Sequence, residues 1–309
     1  MTDRTAPGRN AMSWFEGFDA IDVAVAGSRV HARVGGPREA PALLLLHGFP
    51  QTHVMWHRVA QVLQRRFRLV LPDLRGYGDS ALPADAPGHA QMSKRTMAAD
   101  LVALMGQLGH SSFHLAGHDR GGRVAHRLAL DHPQAVERLA VLDIAPTLDM
   151  YQATDLAFAS AYYHWFHLIQ PAPLPETMIA GCARDYLHAK LGGWGSGGLA
   201  HVEPEALVEY ERCFGRPEAI HTACEDYRAA ASIDLGHDRD ARAAGQRIAC
   251  DLLVLWGARG VVQRLFDPLA LWRAQCDGRV SGRALDCGHF LPEERPGETA
   301  QALGEFFGA

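Results

Sequence analysis

The sequence predicts an α/β protein, a doubly wound and mostly parallel sheet with a helical cap inserted into it. Three observations carry that prediction. Short aliphatic runs recur in the first half of the chain and again near its end, most of them followed by a helical pattern. Such runs suit strands buried on both faces of a parallel sheet. The alternation then stops for about 100 residues in the middle, too long for a plain connection in a compact domain. That middle stretch is aromatic and helical in pattern, with Pro171, Pro173 and Pro175 as punctuation and a glycine-rich loop over residues 192–198.

The elements follow in order. Residues 1–18 read as a loose tail. Residues 21–26 alternate, and residues 30–34 follow after Gly27-Ser28, which predicts a hairpin. Residues 42–46 form a continuous aliphatic strand that ends in His47-Gly48-Phe49-Pro50. A helix is predicted near 54–64 and a strand over 67–71. Ser93 caps a helix through about residue 108. A strand at 112–116, a helix after it and a strand at 139–142 complete the first half. The pattern resumes with a strand at 252–257, a helix near 268–275, a strand near 280–285 and a last helix from about 293. The expected division is a core over 19–146 and 248–309 and a cap over 147–247.

Composition removes several classes of function. A net charge of −5 leaves no basic footprint for a nucleic-acid partner. No apolar run approaches the ~20 residues that span a bilayer, so no membrane contact is expected. Residues 1–10 are polar and lack the apolar stretch of a signal peptide. The six cysteines form no C-x-x-C pair. In a chain this long they read as reduced thiols, which points to the cytoplasm. His110 and His114 span a loop and a strand, so helical metal-ligand spacing does not apply and no metal is expected.

The chemistry lies at the predicted strand ends. Residues 117–121 read Gly-His-Asp-Arg-Gly. The glycines match the G-x-S-x-G elbow, a sharp strand-to-helix turn that presents one side chain above a sheet. Val124, Ala125, Leu128 and Ala129 recur behind it at helical spacing. The presented residue is Asp119 instead of serine. Serine would imply acyl transfer. A carboxylate is ionised at neutral pH without a base, and it attacks a saturated carbon directly. Phe49, Asp143 and His289 also fall at strand ends, where sites form in such sheets. The order Asp119, Asp143, His289 is that of a nucleophile, acid, histidine triad. Asp119 is the expected nucleophile, His289 the general base for water and Asp143 the group that orients His289. Backbone N–H groups of Phe49 and Arg120 are expected to receive the oxyanion. Plainer readings exist: Asp143 as a helix cap, His289 as an ordinary loop histidine.

Arg120 and Arg123 share a helical face three residues apart. A guanidinium is costly in a pocket for apolar substrates. Two of them beside a carboxylate nucleophile suggest a substrate that brings its own carboxylate, clamped in bidentate fashion. The alternative is a salt bridge from either arginine to an acid of the cap.

Together these residues resemble the fluoroacetate and haloacetate dehalogenases of the α/β-hydrolase superfamily, from about residue 30 to the C-terminus. The resemblance rests on residues 47–52 (HGFPQT), 117–123 (GHDRGGR), 142–144 (LDI) and 288–294 (GHFLPEE). In the cap it includes residues 163–165 (YHW), 171–176 (PAPLPE) and 224–228 (CEDYR). It implies that His164, Trp165 and Tyr227 bind the departing halide, that the substrate is a small halogenated carboxylate, that no cofactor is used and that the protein is a homodimer. Imidazole, indole and phenol can each donate a hydrogen bond to such an ion. Without the resemblance, His164-Trp165 would read as an aromatic patch packing the cap on the core. The loop over 192–198 departs from the family pattern and leaves the place of Trp194 open. Two rivals stand beside this reading. An epoxide hydrolase would use the same Asp119 and His289 with tyrosines from Tyr162, Tyr163 and Tyr227 as proton donors. A ligand receptor on the same scaffold would have no turnover.

Overall fold

The computed structural model describes residues 13–308. Eight strands form one sheet in the order β1-β2-β4-β3-β5-β6-β7-β8. They are β1 (Phe18–Val25), β2 (Ser28–Gly35), β3 (Ala42–Leu46), β4 (Arg68–Pro72), β5 (Phe113–His118), β6 (Val136–Leu142), β7 (Asp251–Gly257) and β8 (Val280–Leu285). The β1–β2 and β2–β4 pairings are antiparallel, and the rest are parallel. The aliphatic runs explain that split. Every residue of β3 is buried and every residue of β5 is buried, as central parallel strands require. The outer hairpin strand β1 alternates between partly buried and exposed positions.

Core helices are α1 (His57–Leu63), α2 (Lys94–Gln107) and α3 (Arg120–Asp131). Between β6 and β7 the chain runs through α4 (Thr147–Gln152), α5 (Leu156–Ala161), α6 (Tyr163–Leu168), α7 (Leu174–Ala180), α8 (Ala183–Leu191), α9 (Pro204–Phe214), α10 (Pro217–Ala231) and α11 (Ile233–Ala243). We call this helical stretch the cap. The chain returns to the core through α12 (Val261–Leu265), α13 (Pro268–Arg273), α14 (Leu291–Glu294) and α15 (Pro296–Phe307). Ser93 caps α2 as expected, its hydroxyl accepting from the Thr96 N–H.

Two expectations need correction. The tail over 1–18 lies mostly outside the described residues, and its end was placed too late. Ser13–Phe15 forms a short 3₁₀ turn. Phe15 is buried, with its ring 5.6 Å from Phe18 and 5.4 Å from His53, because an aromatic residue there gains more by packing than by staying in water. The helix expected near 54–64 is split into a 3₁₀ turn over His53–Trp56 and α1, with Thr52 Oγ1 capping the turn at Val54 N.

The elbow forms because two glycines let backbone meet backbone. A Cβ on Gly117 would lie 2.4 Å from the Gly121 carbonyl oxygen, and one on Gly121 would lie 2.3 Å from that of His47. The turn forces Asp119 into φ 46°, ψ −116°, a region that few side-chain-bearing residues occupy. Asp143, at the end of the neighbouring strand β6, also sits at positive φ (50°).

Candidate active site

The ends of β3, β5 and β6 and the loop after β8 deliver Phe49, Asp119, Asp143 and His289. The Phe49 N–H donates to Asp119 Oδ2 at 3.0 Å. That leaves the other carboxylate oxygen free of this contact. His289 Nδ1 lies 2.6 Å from Asp143 Oδ2, and the Gly257 N–H donates to Asp143 Oδ1 at 2.9 Å. The carboxylate can only accept, so Nδ1 carries the proton in neutral His289 and Nε2 offers its lone pair. Nε2 is buried and has no partner.

Charge sets the protonation states. Burial works against the Asp119 carboxylate, but the charges of His289, Arg123 and Arg120 outweigh it and hold its pKa below the usual value. Burial also disfavours the His289 imidazolium. The hydrogen bond and charge of Asp143, with the charge of Asp119, reverse that and raise the His289 pKa.

Arg120 and Arg123 are both buried beside Asp119, but they are not equivalent. Arg120 donates Nε to Asp226 Oδ2 at 2.9 Å and Nη2 to Asp226 Oδ1 at 2.7 Å. Asp226 belongs to α10 of the cap, so the alternative of an ion pair to a cap acid holds for Arg120. Lys94 also donates to Asp226 Oδ1, and the Tyr77 hydroxyl donates to Oδ2 at 2.6 Å. Only Nη1 of Arg120 remains buried without a partner. Among the described residues Arg123 meets no carboxylate. It donates to Thr147 Oγ1 at 2.9 Å and to the Ala145 carbonyl at 3.3 Å, and its Nε is buried without a partner. Arg123 is therefore the guanidinium whose charge no protein carboxylate neutralises by contact.

His164 and Tyr227 close over Phe49. Their ring centroids lie 6.1 Å and 5.4 Å from the Phe49 ring and 5.5 Å from each other. The Tyr227 hydroxyl and His164 Nδ1 are buried without partners. Burial, with Lys190 and His289 adding to it, pushes the His164 pKa well below its usual value and keeps the ring neutral. Burial and the Asp119 charge raise the Tyr227 pKa, so its hydroxyl keeps its proton. Trp165 lies against Arg123, with the guanidinium 4.7 Å from its ring centre. The ring faces of Tyr227 and Trp165 thus carry the two arginines, Arg120 at 4.2 Å over Tyr227.

Sequence reasoning missed Asp226 and Lys94 as partners at the site and left Trp194 open. Asp226 and Lys94 are charged residues with no local signal of burial, and their meeting is purely tertiary. Trp194 sits in the glycine-rich loop at positive φ, 5.1 Å from the His289 ring and 4.7 Å from that of His164. The loop is tied to the His289 segment by Ser196, whose hydroxyl donates to Glu294 Oε1 at 2.6 Å. His118 also faces His289. Among the rival's tyrosines, Tyr163 is 48% exposed and packs against Lys190, so it drops out, whereas Tyr162 and Tyr227 are buried near Asp119. Among the described residues no group of three or more His, Cys, Asp or Glu is set to hold a metal ion, and no helix is long and apolar enough to cross a membrane.

Comparison with known proteins adds the following. The family model of the alpha/beta hydrolase fold matches residues 41–296. A fluoroacetate dehalogenase from Burkholderia sp is 44% identical over 292 residues, which cover 94% of each chain. A soluble epoxide hydrolase from Corynebacterium sp. (strain C12) is 30% identical, covering 91% of this chain and 94% of that protein. Among solved structures, a protein from Nostoc sp PCC 7120 provisionally assigned to the alpha/beta hydrolases superposes with a TM-score of 0.91 at 53% identity, covering 94% of this chain and 98% of that one.

Proposed function

The chain belongs to the alpha/beta hydrolase superfamily and, within it, to the fluoroacetate and haloacetate dehalogenase family, and on that premise we propose that it converts haloacetates, fluoroacetate among them, to glycolate and halide through an ester on Asp119. The observation that carries the substrate class is the unpartnered pair of donors, Arg120 Nη1 and Arg123 Nε, buried beside an ionised Asp119. A substrate carboxylate about 4 Å from Asp119 would be repelled by about 4 kcal/mol at an effective dielectric of 20. A guanidinium without its own counter-ion offsets that repulsion, and Arg123 is in that position.

The reaction has two steps. The free oxygen of Asp119 attacks the carbon that bears the halogen, and the carbon–halogen pair of electrons leaves with the halide. Tyr227 and His164 are the donors we assign to the halide, with Trp165 beside them. His289 Nε2 then takes a proton from water, and the hydroxide adds to the Asp119 carboxyl carbon. Phe49 N–H receives the oxyanion, with the Arg120 N–H, the first of its helix and lacking an intrahelical acceptor, as the second donor. Collapse breaks the bond between that carbon and the glycolate oxygen, which takes the proton back from His289, and Asp119, left as a carboxylic acid, loses its proton to solvent and returns to the carboxylate. Asp143 goes on raising the His289 pKa in the ester, but alkylation neutralises Asp119, so the part of the raise that Asp119 supplies disappears when a neutral base is needed. The same proposal covers the division into core (19–146 and 248–309) and cap (147–247), a cytoplasmic homodimer, and turnover without a cofactor.

An epoxide hydrolase is the second reading, favoured by the burial of Tyr162 and Tyr227 near Asp119. The test measures halide from chloroacetate and fluoroacetate against diol from styrene oxide. Halide from the acids, abolished in Asp119→Ala, is expected. Diol without halide would overturn the proposal.

A further inference from the structure

The residue before the nucleophile has no part in the reaction as described, yet it is fully buried at the end of β5. His118 Nε2 lies 2.8 Å from the His289 carbonyl oxygen. A carbonyl only accepts, so Nε2 carries the hydrogen and donates it. The two imidazole centroids are 4.5 Å apart, and the Phe290 ring lies 6.1 Å from that of His118. His289 itself sits in a loop between β8 and α14, without a ladder of its own. Asp143 holds its side chain from one direction. We infer that His118 is a positioning residue for the hydrolytic step, fixing the main chain of His289 from the central strand so that Nε2 meets the water and the Asp119 ester.

Three further facts support this. The donor comes from β5, which is paired on both edges and buried throughout, so it is a rigid anchor. Burial, with His289 adding to it, pushes the His118 pKa down to about 3, so one neutral tautomer persists over the working range. Its Nδ1 is buried without a partner, so the geometry serves the carbonyl contact alone. A base displaced by about 1 Å can lose on the order of 10²-fold in rate. The first step needs no base, because Asp119 is already ionised. Loss of the His118 contact therefore slows ester hydrolysis and spares carbon–halogen cleavage.

This inference rests on the haloacetate reading, and the wild-type enzyme separates the two. No halide from wild type with chloroacetate sinks that reading. With wild type active, His118→Phe and His118→Gln are compared by rapid-quench halide release and intact-protein mass. Gln places an amide nitrogen near the position of Nε2. His118→Phe is expected to release about one halide per site, stall some 10- to 100-fold below the wild-type steady rate, and carry a carboxymethyl adduct on Asp119. His118→Gln is expected to restore most of the turnover. Steady wild-type turnover by His118→Phe overturns the inference. So does an equal stall in both variants, or a loss of the burst together with turnover in both, which would mark a role in packing only.

Discussion

At the scale of single residues, the site works by differences in environment between like groups. Asp119 and Asp143 are both buried aspartates at positive φ, yet one accepts from the Phe49 N–H and the other is consumed by His289 and Gly257. Arg120 and Arg123 differ in the same way, one neutralised by Asp226 and one not. His289 yields a prediction about pH. In the free enzyme its pKa is raised, so it becomes neutral only as pH climbs through that raised value. In the ester the Asp119 charge is gone, and neutral His289 is reached at lower pH. The acid limb of kcat should therefore lie below the His289 pKa read by NMR in the resting enzyme. Coincidence of the two values would show that Asp119 does not set the His289 pKa. The meeting of Asp119, Asp143 and His289, the proposed catalytic trio, was legible in the sequence because an elbow, a strand-end acid and a glycine-flanked histidine are local patterns. The pairing of Arg120 with Asp226 was not legible, because it joins residues 106 positions apart through space.

At the scale of elements, the close approach of α3 to β3 fixes where the nucleophile points. Gly121→Ala would press a methyl onto the His47 carbonyl oxygen and the Leu46 backbone, neither of which is a flexible tip. The expected cost is about 1–3 kcal/mol, the usual price of overpacking, with dehalogenation lost because the turn that carries Asp119 shifts. Urea unfolding and halide release check it; unchanged values of both would mean that the elbow relaxes freely. Strands and core helices were readable because burial on two faces leaves aliphatic runs and amphipathic helices leave a period. The cap helices were readable as a helical interruption only. Their contacts with the site depend on α10 and on the Trp194 loop folding back over the core, and neither leaves a periodic mark.

At the scale of the whole molecule, cap and core share one buried charge cluster. Asp226 of α10 receives Arg120 from α3, Lys94 from α2 and Tyr77 from the loop after β4. Against the cost of burial, the Arg120 and Lys94 cations hold the Asp226 pKa far below the usual carboxylate range. Asp226→Ala leaves two buried cations short of a partner and should cost on the order of 3–5 kcal/mol. Urea unfolding followed by both far-ultraviolet dichroism and tryptophan fluorescence measures this, and the two curves should stay superimposed. A loss under about 1 kcal/mol would show the cluster to be indifferent to stability. The same cluster governs traffic. Lifting α10 off the core parts Asp226 from three donors in one motion. Were that motion to cost as much as the substitution, about 3–5 kcal/mol, about one molecule in a hundred to a few thousand would stand open at any moment. Exchange with solvent therefore runs through small excursions of side chains and loops while the lid stays shut. On the haloacetate proposal, a two-carbon anion would pass such gaps sooner than a bulkier acid, so arrival time would sort substrates before any contact with Asp119 does.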